Sequence, residues 1–302
     1  HEWGKQSSVY EFLLLGLSRQ PPQQQLLFML FLSMYMATVL GNLFIILAIS
    51  TDSHLHTPMY FFLSNLSFMD ICFTSTTVPK MLTNPLLRSQ TISFCGCLTQ
   101  LYFLIVFAYV DNFLLAVMAC DCFVAVCHPH YTTKMTHQLC GLLVAGLWVI
   151  AKLNGLLHTL LMAYNRIPHF FGDVSLLLKL TCSDTHLNEI MILIVRAIMI
   201  APFIYTHISY VLIACGILRV SSTKGKWKVF PTCGSQLAVI LLFYGTIIAL
   251  YFNPSFFHSA ETVITAIVVN PMLNPFIYSL RNKDMKGALR KMIAMKFFFC
   301  SI

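Results

Sequence analysis

The chain is 302 residues long, 58% hydrophobic and only 10% charged, against roughly 25% charged residues in a soluble domain. Ionisable groups are costly in hydrocarbon, so this shortage of charge excludes an ordinary water-soluble globule and points to the membrane. The formal net charge of +8 raises nucleic acid as a partner, but the basic residues are not interleaved with aromatics as they are on nucleic-acid surfaces.

The chain starts at His1 and not at a methionine, so its natural start is expected to be missing or altered. Its polar first eleven residues stand ahead of a long apolar run, which predicts no cleavable signal peptide. Residues 1–25 are expected to form an N-terminal segment outside the membrane. Seven apolar stretches follow, over 26–50, 58–80, 98–126, 139–163, 190–218, 229–252 and 262–280. Each is near the ~20 residues that a spanning helix needs. Barrel strands would be about half as long, and only closed barrels or helices satisfy the backbone in lipid. The fold class is an all-α membrane protein: a seven-transmembrane helix bundle over 26–280, then a short amphipathic helix and tail over 281–302.

Lys and Arg set the orientation. With the N-terminus outside, the inner segments carry Lys134, Arg219, Lys224, Lys226, Lys228, Arg281, Lys283, Lys286, Arg290, Lys291 and Lys296, eleven of the nineteen basic residues. The tail places Met285, Leu289 and Met292 on one helical face with basic residues between them, a pattern suited to the surface of an anionic membrane leaflet. Membrane lipid is the expected partner of this charge, and nucleic acid is not. Most of the eleven cysteines lie in apolar stretches, where a free thiol packs as a small hydrophobe.

The inner end of the third stretch reads Met118-Ala119-Cys120-Asp121-Cys122-Phe123-Val124-Ala125-Val126-Cys127-His128-Pro129. It resembles the Met-Ala-Tyr-Asp-Arg-Tyr-Val-Ala-Ile-Cys-His-Pro signature of olfactory receptors, which are rhodopsin-like G-protein-coupled receptors. Further runs resemble the same family in order and spacing. Leu55-His56-Thr57-Pro58-Met59-Tyr60-Phe61-Phe62-Leu63 opens the second stretch and Ser209-Tyr210 closes the fifth. Phe230-Pro231-Thr232-Cys233-Gly234-Ser235 and Phe243-Tyr244-Gly245 lie in the sixth, and the run from Pro271 to Asn282 covers the end of the seventh.

The resemblance implies a receptor for a small volatile odorant, coupled to the olfactory stimulatory G protein and housed in the plasma membrane. It implies an inner polar cluster of Asn42, Asp70 and Asn274, with Asp70 and Asp111 facing the bundle interior. Those two carboxylates either share a proton, a water network or a sodium ion, or serve as polar glue between helices. No other cofactor is expected. Pro275 bends its helix, and with Tyr278 and Tyr210 belongs to the family's activation switch. That switch departs from the pattern at Cys122, where the family carries an arginine beside Asp121. A thiol is a weak donor, whereas a guanidinium offers a fixed charge and five donors. Coupling is therefore expected to be weak or absent.

On the outer side, the resemblance implies that Cys97 staples the third helix to the second outer loop. The partner position falls at Gly172, and Cys182 is the cysteine left in that loop. Either Cys97 or Cys95 pairs with Cys182, or the loop is unstapled; Cys97–Cys182 is the preferred reading. The family's outer-half pocket maps onto Leu101, Leu104, Ile105, Ala108, Tyr109 and Asn112 of the third stretch, and Ile194, Val195 and Ile198 of the fifth. It continues with Tyr244, Ile247, Ile248 and Tyr251 of the sixth, then Ile264 and Ile267 of the seventh. Any single aliphatic among these also serves ordinary helix packing. The set is apolar with a few hydroxyls and one amide, as small-molecule sites tend to be. Leu104 stands where amine receptors carry an acid, which disfavours a cationic amine.

Other classes fit less well. Retinal needs a Schiff-base lysine that the stretch from Glu261 to Leu280 lacks. A transporter would carry paired interrupted spans, and an enzyme would carry metal-spaced His/Glu pairs, a phosphate loop or a nucleophile elbow. His54, His56, His128, His130 and His137 read as loop and headgroup-facing residues. Lys152 and Arg196 inside stretches, the altered outer loop and Cys122 together resemble relaxed constraint. The alternative is thus a non-signalling family member, retained in the cell or acting only as a partner of intact receptors. The one N-glycosylation sequon, Asn65-Leu66-Ser67, lies within the second stretch, out of reach of a luminal transferase. Treating the membrane-expressed chain with an enzyme that removes N-glycans is expected to leave its gel mobility unchanged.

Overall fold

The computed structural model describes residues 12–13, 21–87, 91–92, 94–127, 135–164, 200–216, 233–246 and 260–299. Seven long or apolar helices stand in chain order: α1 Pro21–Thr51, α2 Pro58–Leu87, α3 Phe94–Cys127 and α4 His137–Tyr164, then α5 Ile200–Gly216, α6 Cys233–Thr246 and α7 Ala260–Arg281. An eighth, α8, runs from Lys283 to Phe299. A two-residue antiparallel bridge pairs Phe12 with Ile92 and Leu13 with Thr91, tying the N-terminal segment to the link between α2 and α3. The fold is the expected seven-helix bundle with a short amphipathic helix behind it.

Helix α2 runs on to Leu87 and α3 starts at Phe94, beyond the spans read from apolarity. Hydropathy measures the thickness of hydrocarbon, whereas a helix continues for as long as its backbone bonding does. The starts follow local chemistry. Pro21 and Pro58 open α1 and α2, at a position where a missing N–H costs nothing. Thr136 caps α4 by accepting from the Leu139 amide at 3.3 Å. Asn282 caps α8 by accepting from the amides of Asp284 at 3.0 Å and Met285 at 3.3 Å. The same oxygen accepts the Tyr60 hydroxyl of α2 at 3.1 Å.

Helix α3 runs through the centre: Val106, Tyr109, Val110, Leu114, Leu115, Met118 and Ala119 are all buried. All but Ala119 join one core with Phe62, Leu63, Leu66 and Met69 of α2 and Val144, Leu147 and Ala151 of α4. Most of the apolar side chains left outside lie on the helices around α3, as with Leu142 at 70% and Leu153 at 62% exposure on α4. This inversion suits a bundle whose outer solvent is lipid. Polar residues turn inward instead, including Thr38, Asp70, Thr74, Asp111 and Asn274. The inner threonines satisfy themselves by bonding back one turn, as Thr38 does to the Met34 carbonyl at 2.8 Å. Lys152 is exposed on α4, its ammonium 5.5 Å from the centre of the Trp148 ring.

α8 is held to the bundle at a second point. Asp52 caps a 3-10 turn over Ser53–Leu55 through the His54 amide, and Lys291 of α8 reaches its carboxylate at 3.3 Å. The His54 amide foremost, then Lys291, holds Asp52 below the ordinary carboxylate range.

Gly155 and Gly41 set helix spacing where they lie. A Cβ on Gly155 of α4 would stand 2.5 Å from Val106 Cγ2 of α3, and one on Gly41 of α1 would stand 3.0 Å from the Pro275 ring of α7. Val106 is β-branched and buried, so it has little room to turn. Gly155→Ala is expected to lower the stability of the purified receptor by about 1–3 kcal/mol through overpacking. Gly146→Ala, with open space around the new methyl, is expected to be neutral. Thermal melting of the two variants side by side checks this.

Candidate functional site

The deepest polar site lies where α1, α2, α3 and α7 meet. Pro275 has no N–H, so the Pro271 carbonyl one turn back loses its helical partner. The Asn42 amide of α1 fills that place, donating to the Pro271 oxygen at 3.1 Å and to the Thr38 oxygen at 3.0 Å. Gly41 beside it lets the two helices come close enough for this bond. Asn274, the residue before the proline, donates to Asp70 Oδ2 of α2 at 2.9 Å. Asp111 of α3 lies within electrostatic reach of Asp70. Asn42 Oδ1, Asp111 Oδ1 and Asn274 Oδ1 are buried with no hydrogen-bond partner among the described residues. These unpartnered groups are all oxygens, the donor chemistry that a hard cation takes.

The ends of α3, α5 and α6 nearest α8 form a second, separate site. Asp121 is buried there. The neighbouring Cys122 is not a free thiol: it is joined to Cys233 at the start of α6, with Cα atoms 6.4 Å apart. Composition alone suggested thiols packed as small hydrophobes, and Cys72, Cys120, Cys127, Cys140 and Cys215 are indeed free. The Cys122–Cys233 bond lies in its own apolar cluster with Ile213, against Phe123, Val126 and Tyr210. The Tyr210 hydroxyl donates to Gln236 Oε1 of α6 at 3.4 Å. Tyr278 of α7 is buried, and its hydroxyl has no partner among the described residues.

Ten residues up α3 from Cys122, or about 15 Å, a third group forms. The Tyr244 hydroxyl of α6 donates to Asn112 Oδ1 of α3 at 2.6 Å, with both residues buried. Phe203 of α5 meets the Tyr244 ring edge-on at 4.6 Å, and His207 lies 4.1 Å from Phe203 and 5.8 Å from Tyr244. Half-buried Leu101, Leu104, Ile105 and Ala108 continue up α3 from this layer. Tyr109 lies to one side, stacked on Phe113 and 6.3 Å from His158 of α4. Ile194, Val195, Ile198, Ile247, Ile248, Tyr251 and Cys182, along with Arg196, His128 and His130, lie outside the described residues, as do the side chains of Ile264, Ile267, Cys95 and Cys97. Phe203 and His207 were not picked out from the sequence; their one-turn spacing in the fifth stretch was the available signal. Cys233 was read only as part of a motif, and Asn282 likewise.

A family model described as "Olfactory receptor" matches residues 31–296. Olfactory receptor 1f45 of Rattus norvegicus is 69% identical over 304 residues, covering 97% of this chain and 97% of that protein. Olfactory receptor 1F1 of Homo sapiens is 68% identical over 305 residues, covering 97% of this chain and 98% of that protein. Among solved structures, squid rhodopsin superposes with a TM-score of 0.70 over 94% of this chain and 89% of that one; at 16% identity this is a likeness of fold.

The Tyr244–Asn112 bond crosses from α6 to α3 with both residues buried. Tyr244→Phe is expected to cost about 1 kcal/mol of stability, with a coupling of similar size to Asn112→Ala in a double-mutant cycle. Additive losses, read from thermal melting of the four proteins, would show that the bond contributes nothing.

Proposed function

The chain belongs to the olfactory receptor family, a family of multi-pass membrane proteins that are not enzymes, and from that premise we propose that it binds small, mostly apolar volatile molecules between α3, α5 and α6. The observation that carries this reading is the Tyr244–Asn112 pair set among Phe203, His207 and the aliphatic face of α3. One hydroxyl and one amide in apolar surroundings orient a ligand with a single polar group. The ligand face points outward and the α8 end lies in the cytosol of a plasma-membrane receptor, as the basic residues around α8 favour. Binding shifts the bundle towards a form open at the α8 end, through differential affinity for the two forms. The partner there is a stimulatory heterotrimeric G protein, and Asp70 and Asp111 hold a sodium ion in the resting form.

A second reading has its own observation. Cys122 stands where the family carries arginine, and it is bonded to α6. A receptor held this way couples poorly, and the limiting case is a non-signalling product that stays in the cell or serves only as a partner of intact receptors.

An N-terminally tagged chain, displayed on live cells beside its Cys122→Arg version, separates the two. With a cyclic AMP readout, neutral volatiles with one polar group are expected to act on the Cys122→Arg receptor, more weakly on the native chain. Protonated amines are expected to be inert. Tyr244→Phe is expected to shift the response by about tenfold in concentration. If both versions reach the surface and neither answers any member of a broad odorant panel, the non-signalling reading stands instead.

A further inference from the structure

The bond between Cys122 and Cys233 joins helices whose cysteines are 111 residues apart. It lies in an apolar cluster of its own, with Ile213, Phe123, Val126 and Tyr210, outside the main core. The three helix ends here are drawn tightly together. Gly216 near the end of α5 comes so close to α3 that a Cβ would stand 2.9 Å from Cys127 Sγ. The Tyr210–Gln236 hydrogen bond crosses from α5 to α6 about one turn past Cys233. Non-covalent contacts of this kind break and re-form as helices move. A disulfide does not, because it holds its two Cα atoms within about 7 Å whatever the helices around it favour.

The two cysteines have different histories in the sequence. Cys233 stands in the Phe-Pro-Thr-Cys-Gly-Ser run that resembles the olfactory family, whereas Cys122 is the departure from it. The departure thus sets a new thiol opposite one the pattern already supplies, on two helices that meet at this end of the bundle. We propose that Cys122–Cys233 is a thiol–disulfide latch: oxidised, it holds the α8 end of the bundle shut, and reduced, it leaves α6 free to move. The latch rests on the reading that this end faces the cytosol, where protein disulfides are characteristically transient and redox-sensing.

The oxidant is glutathione disulfide. One cysteine thiolate attacks a glutathione sulfur, forming a mixed disulfide and releasing one glutathione thiolate. The second cysteine thiolate attacks the protein sulfur of that mixed disulfide, closing the protein disulfide and releasing the second glutathione. Two cysteine thiols and one glutathione disulfide become one protein disulfide and two glutathione thiols. The two cysteine sulfurs are oxidised, the two glutathione sulfurs are reduced, and two glutathione molecules reverse the sequence. Both cysteines are buried, 5% and 7% exposed, so exchange requires local opening of the helix ends and is slow beside that of the exposed thiol Cys215.

The test uses the full chain in phosphatidylcholine–phosphatidylserine nanodiscs, equilibrated against glutathione buffers from reducing to oxidising. Differential alkylation with peptide mass analysis reads the bond, and amide hydrogen exchange reads α6. A linked peptide joining Cys122 to Cys233 is expected in oxidising buffer, replaced by two alkylated peptides in reducing buffer. Exchange along Cys233–Thr246 is expected to quicken at least about tenfold on reduction. Cys233→Ser and Cys122→Ser are each expected to exchange at the fast rate in both buffers. No linked peptide in oxidising buffer, or a peptide linking either cysteine to Cys127, overturns the proposal. So does a bond that forms while α6 exchanges at one rate throughout. Should a variant fail to fold, the redox series on the native chain decides alone. Neither readout needs an odorant or a G protein, so its failure is distinct from failure of the receptor reading.

Discussion

A backbone carbonyl without its amide, buried where no water is at hand, costs several kcal/mol, and Pro275 creates one at Pro271 in the middle of α7. The bundle is arranged around its repair. Asn42 reaches across from α1 to donate to it, which requires the close approach that Gly41 permits. With α7 held to α1 in this register, Asn274 meets Asp70 on α2. Asp70 in turn lies near Asp111 on the central α3. One missing hydrogen bond is thereby linked to four helices.

Reading the sequence reached unevenly into this structure. The seven spans were legible because hydrocarbon imposes a length and a composition on each helix, and the apolar rim of α4 against the polar lining of α2 follows from the same pressure. Helix ends were less legible: the turns of α2 from Met81 to Leu87 lie past the apolar stretch, where backbone bonding alone decides. The residues of the inner polar cluster were named through a motif. The atom each one meets was not: that Asn42 serves the Pro271 carbonyl depends on how α1 packs against α7, which no local pattern encodes. The Phe203–His207–Tyr244 group was hidden for the same reason, since ring contacts across helices depend on helix rotation.

Cys122 is the sharpest case. The sequence marked it as a lost arginine, a statement about one helix. Its bond to Cys233 is a statement about two, and connectivity is not deducible from cysteine positions alone. What reads as a deletion of function along the chain becomes a gained cross-link in three dimensions. The same position restrains α3 against α6 through a covalent bond that a substitution at either Cys122 or Cys233 removes.

One oxygen at the corner between α7 and α8 carries a further consequence. Asn282 Oδ1 is shared by the Tyr60 hydroxyl and by the Asp284 and Met285 amides in the first turn of α8, so it works as a bracket between α2 and α8. Any displacement of the inner end of α7 carries Asn282 with it. Either α2 follows through Tyr60, or α8 loses its cap and frays from its first turn. α8 is therefore geared to the bundle, and a shift at the inner end of α7 reaches it through one shared oxygen.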